Sequence, residues 1–183
     1  MISEEEDINN IIVGCTNNDR KAQEQFYRKF YRAMVTLCLR YTKNEEDALE
    51  VLNNGFYKVF KNIGKYDASK GSVYTWIRKI IINSCLDFIK GKGNQIESRE
   101  VDDAISVDLP PDIISKMSAN EILLRVRQLS PATQAVFNLY VIEGYNHIEI
   151  AELMKISAGT SKWHLSEARR KLKAMITEQN VNE

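Results

Sequence analysis

Apolar residues recur along the first half of the chain at steps of three and four, the spacing that lines one face of an α-helix. Ile8, Ile11 and Ile12 mark a short first helix ended by Gly14, after which Asn17, Asn18 and Asp19 supply turn and N-cap chemistry. Phe26, Phe30, Met34, Leu37 and Tyr41 form the stripe of a longer amphipathic helix, with Arg28, Lys29, Arg32 and Arg40 off it. Asn44 caps a third helix whose apolar face runs Ala48, Leu52, Phe56, Val59, Phe60 and Ile63, until Gly64 and the polar stretch Lys65 to Ser72 break it. A fourth carries Trp76, Ile77, Ile80, Ile81, Cys85, Phe88 and Ile89 and stops at Gly91-Lys92-Gly93. These four helices predict one bundle.

Periodicity then fails up to Pro110-Pro111, so the expected division is a bundle over residues 1–91, a linker over 92–111 and a smaller domain over 112–183. That domain starts with a helix through Ile113, Ile114, Met117, Ile122, Leu123, Val126 and Leu129, with a possible break at Ser118 to Asn120. Ser130 and Pro131 open a further helix through Val136, Leu139, Tyr140 and Ile142, ended by Gly144. Asn146 with Glu149 three residues on is a capping-box start for a short helix with Ile150, Ala151, Leu153 and Met154. Lys155 and Ile156 make a turn, Ser157 caps the last helix, and Leu165, Ala168, Leu172 and Ile176 face inward. The fold class expected is all-α: an N-terminal helical bundle and a C-terminal helix-turn-helix domain joined by a flexible acidic linker.

Charge changes the picture only locally. Lys plus Arg equals Asp plus Glu at 25 each, which speaks against coating nucleic acid by bulk charge. Between Glu97 and Asp112, however, there are six acids and one base, and between Gly159 and Ala174 five bases and one acid. Cys15, Cys38 and Cys85 are far apart and set in apolar helical sequence, as reduced buried thiols are. The acidic N-terminus and the absence of an apolar run near the roughly 20 residues of a membrane span point to the cytoplasm and to no direct membrane insertion. His147 and His164 have no Cys or acid at ligand spacing, and there is no phosphate-cradling Gly-rich loop or nucleophile motif. No enzyme, metal or cofactor is expected.

In a helix-turn-helix the second helix enters the major groove of DNA. The residues at its N-terminal end, Thr160, Ser161, Lys162, Trp163 and His164, are then the ones aimed at base edges and nearby phosphates. Arg169, Arg170, Lys171 and Lys173 suit the phosphate backbone or a solvated helix face. Trp163 either packs on the preceding helix or meets a thymine methyl.

At this point the residues resemble a family. Leu129-Ser130-Pro131, Glu143-Gly144-Tyr145, Glu149-Ile150-Ala151-Glu152-Leu153, Gly159-Thr160 and Glu167 to Leu172 resemble region four of bacterial RNA polymerase sigma factors, the extracytoplasmic-function (ECF) group above all. Phe26 to Tyr31, Glu46-Asp47-Ala48 to Phe60, and Tyr74-Thr75-Trp76-Ile77 with Asn83 and Asp87 resemble region two of the same group. Two motifs in the right order across a variable linker are more specific than either alone.

The resemblance implies a transcription initiation factor that binds core RNA polymerase and directs it to promoter DNA, with an anti-sigma factor as a further partner. Region two would meet the clamp of the largest polymerase subunit through Asp47, Glu50, Asn53 and Asn54, where many relatives have Gln-Glu in place of Asn53-Asn54. It would also capture an unstacked base of the minus-ten element in the loop Asn62 to Ser72, with Lys65, Tyr66, Lys70, Arg78, Lys79 and Asn83 as candidates. Region four would hold the minus-thirty-five element. On pattern alone Trp76, Phe56 and Phe60 belong to the core, and Tyr66 suits base contact and cover of the bundle end equally.

Two other functions compete. A stand-alone helix-turn-helix regulator would bind an operator as a homodimer without polymerase. An adaptor or anti-sigma-type interaction module would bind polymerase or a partner without opening a promoter.

Overall fold

The structure, a computed structural model, describes residues 4–91 and 119–180; the expected acidic linker and Ile113, Ile114 and Met117 lie outside them. The described residues form eight α-helices and three short 3-10 or π turns, with no strand among them, so the chain is all-α. It divides into two compact units, Met1–Leu39 with Lys43–Cys85 and Arg40–Thr42 with Leu86–Glu183.

The first unit is built on α1 (Glu4–Thr16), α2 (Arg20–Cys38), α3 (Glu45–Asn62) and, up to Cys85, α4 (Val73–Gly91). Asn18 turns the chain in the left-handed region at φ 59°. Asp19 then caps α2, its carboxylate accepting the backbone N–H groups of Lys21 and Ala22 at 2.7 and 3.0 Å. The structure differs from expectation at Gly14, which does not end α1. The helix runs two residues further, and Gly14 is where α1 meets α2: a Cβ there would lie 2.5 Å from that of Ala22. Gly55 performs the same service between α3 and α4, where an added Cβ would strike Ile81.

Phe26, Met34, Leu52, Ile77 and Ile81 are fully buried, each contributing about 1.5–3 kcal/mol of transfer free energy. Phe26 stacks obliquely on Phe30 and Phe60, with ring centroids 4.9 and 5.9 Å away. Phe56 is buried as expected, whereas Phe60 and Trp76 keep part of their rings at the surface. Cys15, Cys38 and Cys85 are buried and form no disulfide; burial, and then the charge of Asp19, pushes Cys15 up to about 11.

The second unit contains α5 (Ala119–Val126), α6 (Pro131–Phe137), α7 (His147–Met154) and α8 (Ala158–Asn180). Ser130 and Pro131 open α6 as expected, although the Ser130 hydroxyl donates to Thr133 Oγ1 rather than capping a backbone N–H. The expected continuation of this helix to Ile142 is instead a π turn, Asn138–Ile142, closed by the Glu143 N–H on the Asn138 carbonyl at 3.0 Å. The wider turn sinks Leu139 into the core while Tyr140, Val141 and Ile142 stay at the surface. Gly144, at φ 78°, reverses the chain.

The capping box of α7 is complete: the Asn146 side chain accepts from Ile148 and Glu149, and Glu149 accepts from the Asn146 N–H at 2.7 Å. Lys155 ends α7 in the left-handed region (φ 58°, ψ 48°), and Ser157 Oγ accepts the Thr160 N–H at 2.9 Å to start α8. Leu165, Ala168 and Leu172 bury the inner face of α8, with α6 and α7 both packed on that helix.

Candidate nucleic-acid interface

On α8 the structure buries part of the expected DNA-reading set. Thr160, Ser161 and His164 are buried and hydrogen-bonded inward, to Ser157, His147 and Thr133 respectively. The cause is that α6 and α7 both press on this helix, so its buried arc is wider than the apolar residues alone mark out. Trp163 is half-buried, edge-on to the His164 ring at 4.9 Å.

What α8 does present is a line of residues at helical spacing: exposed Gly159, Lys162 and Lys173, with half-buried Ser166 and Arg169 between them and exposed Arg170 alongside. Arg170 is engaged, its guanidinium donating twice to Glu167 at 2.8 Å. Lys171 lies 3.3 Å from the same carboxylate. Hydrogen bonding from Arg170 holds the Glu167 carboxyl below the usual carboxylate range. The two bases are thus partly neutralised by their own helix.

The loop between α3 and α4 forms a cavity of about 350 Å³, to which the expected Lys65, Tyr66, Lys70 and Lys79 all contribute. The 3-10 turns Ile63–Lys65 and Ala68–Lys70 shape it. Tyr66 is pinned across it, its hydroxyl donating to the Gly71 carbonyl at 3.1 Å and its ring 5.7 Å from that of Trp76. Gly71 has φ 144°, a conformation that favours glycine.

Arg78 and Asn83 do not line this cavity. Asn83 is exposed one turn beyond Lys79 on the same side of α4, while Arg78 is half-buried on a different side. Trp76, Asp67 and Thr75, which sequence reasoning left out of the site, do line it. Asp67 is fixed by Ser69, whose hydroxyl and N–H donate to it at 2.7 and 3.0 Å and hold its carboxyl below the usual range. The Asp-x-Ser spacing was the available signal for that turn.

On α3, Glu50, Asn53 and Asn54 are exposed and Asp47 is half-buried, all on one side of the helix. Asp47 Oδ2 accepts from the Asn44 amide at 3.2 Å, and Asn53 Oδ1 accepts from the Tyr27 hydroxyl at 3.3 Å. Tyr27 packs on Phe56 (ring centroids 4.6 Å apart), so the polar row rests on the aromatic core. Among the described residues no cluster of His, Cys, Asp or Glu could hold a metal, and no helix is long and apolar enough to cross a membrane.

Comparison with known proteins matches the family model of Sigma-70 region 2 to residues 26–95 and that of Sigma-70 region 4 to residues 119–172. The ECF RNA polymerase sigma factor SigM of Mycobacterium tuberculosis is 24% identical over 162 residues, covering 86% of this chain and 79% of that protein. The ECF RNA polymerase sigma factor SigW of Bacillus subtilis is 26% identical over 155 residues, covering 76% and 81%. Among solved structures, the sigma factor RpoE from Bartonella quintana, crystallised with the anti-sigma factor NepR, superposes with a TM-score of 0.54 at 15% identity over 84% of this chain and 96% of that one, which shows a shared fold. A stand-alone regulator or an adaptor is not favoured, since neither accounts for region 2 and region 4 occurring in sequence. With both regions matched, in order and on an all-α fold, the chain belongs to the ECF group of RNA polymerase sigma factors and is a transcription initiation factor.

Proposed function

We propose a division of labour between residues 1–91 and 112–183. In the first, the outward row of α3 (Asp47, Glu50, Asn53, Asn54) meets the clamp of the largest subunit of core polymerase, and the α3–α4 loop takes up an unstacked base of the minus-ten element. In the second, Lys162, Arg169 and Lys173 hold phosphates of the minus-thirty-five element. The protein works in the cytoplasm and catalyses nothing itself; it supplies position and strand separation to the polymerase. An anti-sigma factor is a further partner, as it is for the Bartonella protein.

The observation that carries this reading is the cavity: a cation-rimmed space walled by two aromatic rings, on the loop where region 2 is matched. Extruding a base from a duplex costs roughly a few kcal/mol, which stacking and hydrogen bonds can offset. Lys65, Lys70 and Lys79 suit the flanking phosphates. Arg170 is a weaker contributor upstream than sequence spacing implies, because Glu167 already holds it.

The test is run-off transcription with core polymerase over a pool of promoters. Lys162→Ala should relax upstream selectivity, and Lys79→Ala and Asn83→Ala should slow promoter opening while polymerase binding is retained. Unaltered promoter choice and opening in all three would overturn these assignments.

A further inference from the structure

Among the described residues neither histidine belongs to a group that could hold a metal, yet one stands beside two cations of α8. His147 opens α7, its ring stacked on Tyr140 of the π turn with centroids 4.6 Å apart and planes inclined by 23°. Its Nδ1 lies 2.9 Å from Ser161 Oγ on α8. These two contacts fix the half-buried ring beside the outward stripe of α8.

The charged groups acting on the ring are Lys162 and Arg169, both on α8. Tyr140 offers a ring face without charge, and on the histidine's own helix the Glu149 carboxylate is taken up by the Asn146 N–H. Burial, followed by the two cations, holds the imidazole below its ordinary range, hence neutral near pH 7. The N–H groups of Ile148 and Glu149 in the first turn of α7 are already spent on the Asn146 side chain, at 2.9 and 3.0 Å. Side chains are the groups that would hold an anion here.

We infer that His147, Lys162 and Arg169 form one phosphate-binding cluster in which the histidine acquires its charge only when a DNA phosphate arrives. The inference rests on the reading that the α8 stripe faces DNA. A phosphate oxygen near Lys162 and Arg169 offsets the cationic part of that depression and sets an opposite charge beside the ring, so that a proton from solvent is drawn to the unprotonated ring nitrogen. The link to Ser161 survives, because a hydroxyl accepts as readily as it donates. DNA binding therefore takes up a proton. Affinity rises as the pH falls from the His147 value on DNA to its lower value in the free protein, and levels off below that.

The test measures promoter affinity of the holoenzyme, assembled with the full chain, from about pH 6 to about pH 8 at fixed ionic strength. His147→Gln keeps a hydrogen-bonding group toward Ser161 but cannot titrate; it should flatten the pH dependence by up to about tenfold in affinity per pH unit, one proton's worth. Ser161→Ala, which removes the link and keeps the imidazole, should retain the slope. NMR titration of the His147 ring in the full chain should show its pKa raised by an upstream-element duplex. A wild-type slope in His147→Gln, or a ring whose titration ignores the duplex, overturns the inference. Lys162→Ala with unchanged affinity and salt dependence would instead overturn the reading beneath it.

Discussion

The His164 ring nitrogen Nδ1 lies 3.0 Å from Thr133 Oγ1, a buried bond that ties α8 to α6. Removing one partner leaves the other in the interior without it, which costs about 1–3 kcal/mol. His164→Ala and Thr133→Val should each destabilise the second unit by that amount. Urea unfolding in a Trp76→Phe background, with Trp163 as the only tryptophan and excited at its red edge, would measure it. Promoter preference of the surviving folded protein should be unchanged; a shift in base preference with no loss of stability would show that His164 reads DNA.

That bond also shows what the sequence made legible. The capping box at Asn146 and Glu149 and the Asp19 cap are local chemistry at fixed spacing, and both are found. The inner face of α8 was equally readable from Leu165, Ala168 and Leu172. Stepping back by four from Leu165 and Ala168 lands on Ser161 and His164, and by eight from Ala168 on Thr160, so the period itself marked them as inward. Their polarity obscured this, because a hydroxyl or an imidazole nitrogen in this position is engaged by partners on other helices, Thr133 and His147, that lie 31 and 14 residues away. The π turn left no signature, since its three exposed apolar residues continue a helical pattern. In the α3–α4 loop, the lysines and Tyr66 were legible as chemistry, whereas the enclosure that brings Trp76 and Asp67 to them depends on how the loop closes.

Glu167 restrains two bases of α8 at once, with Arg170 at 2.8 Å and Lys171 at 3.3 Å. Glu167→Gln should tighten promoter binding and steepen its salt dependence by up to about one counterion for each base released to phosphate. A salt series on the holoenzyme reads both. The carboxyl is held below its ordinary value, so the ion pairs are complete above the unfolded-state value and are lost as the pH falls through the folded-state one. Acid should therefore reproduce part of the substitution's effect, whereas the variant itself should show less of that change. Equal affinity for the two proteins at every salt concentration would mean that Arg170 and Lys171 stay clear of DNA.

Gly14 sits where α1 rests on α2, with the Ala22 Cβ fixed to the helix backbone and unable to rotate away. Gly14→Ala should force the helices apart and cost about 1–3 kcal/mol. Gly64 is the control: its added Cβ meets only Thr16 Cγ2, at an ordinary 3.7 Å. Gly64→Ala should change stability by less than about 1 kcal/mol in either direction. Thermal unfolding of the two variants side by side distinguishes a steric effect from the general cost of losing a glycine.

Gly71 and Tyr66 hold the α3–α4 cavity in shape by a bond from the tyrosine hydroxyl to the glycine carbonyl. A Cβ at Gly71 would meet nothing within 4 Å, so Gly71→Ala acts through its φ of 144° alone and should strain the loop by about 1–2 kcal/mol. Tyr66→Phe keeps the ring beside Trp76 and loses only the tether. If the cavity receives an unstacked base, both variants should lower the fraction of open promoter, Gly71→Ala more than Tyr66→Phe, while competition for core polymerase is unchanged. Permanganate reactivity of unpaired thymines in the minus-ten region measures opening directly. Wild-type reactivity in Gly71→Ala would separate the loop's shape from strand opening, and a parallel loss of polymerase binding would place the defect in the bundle instead.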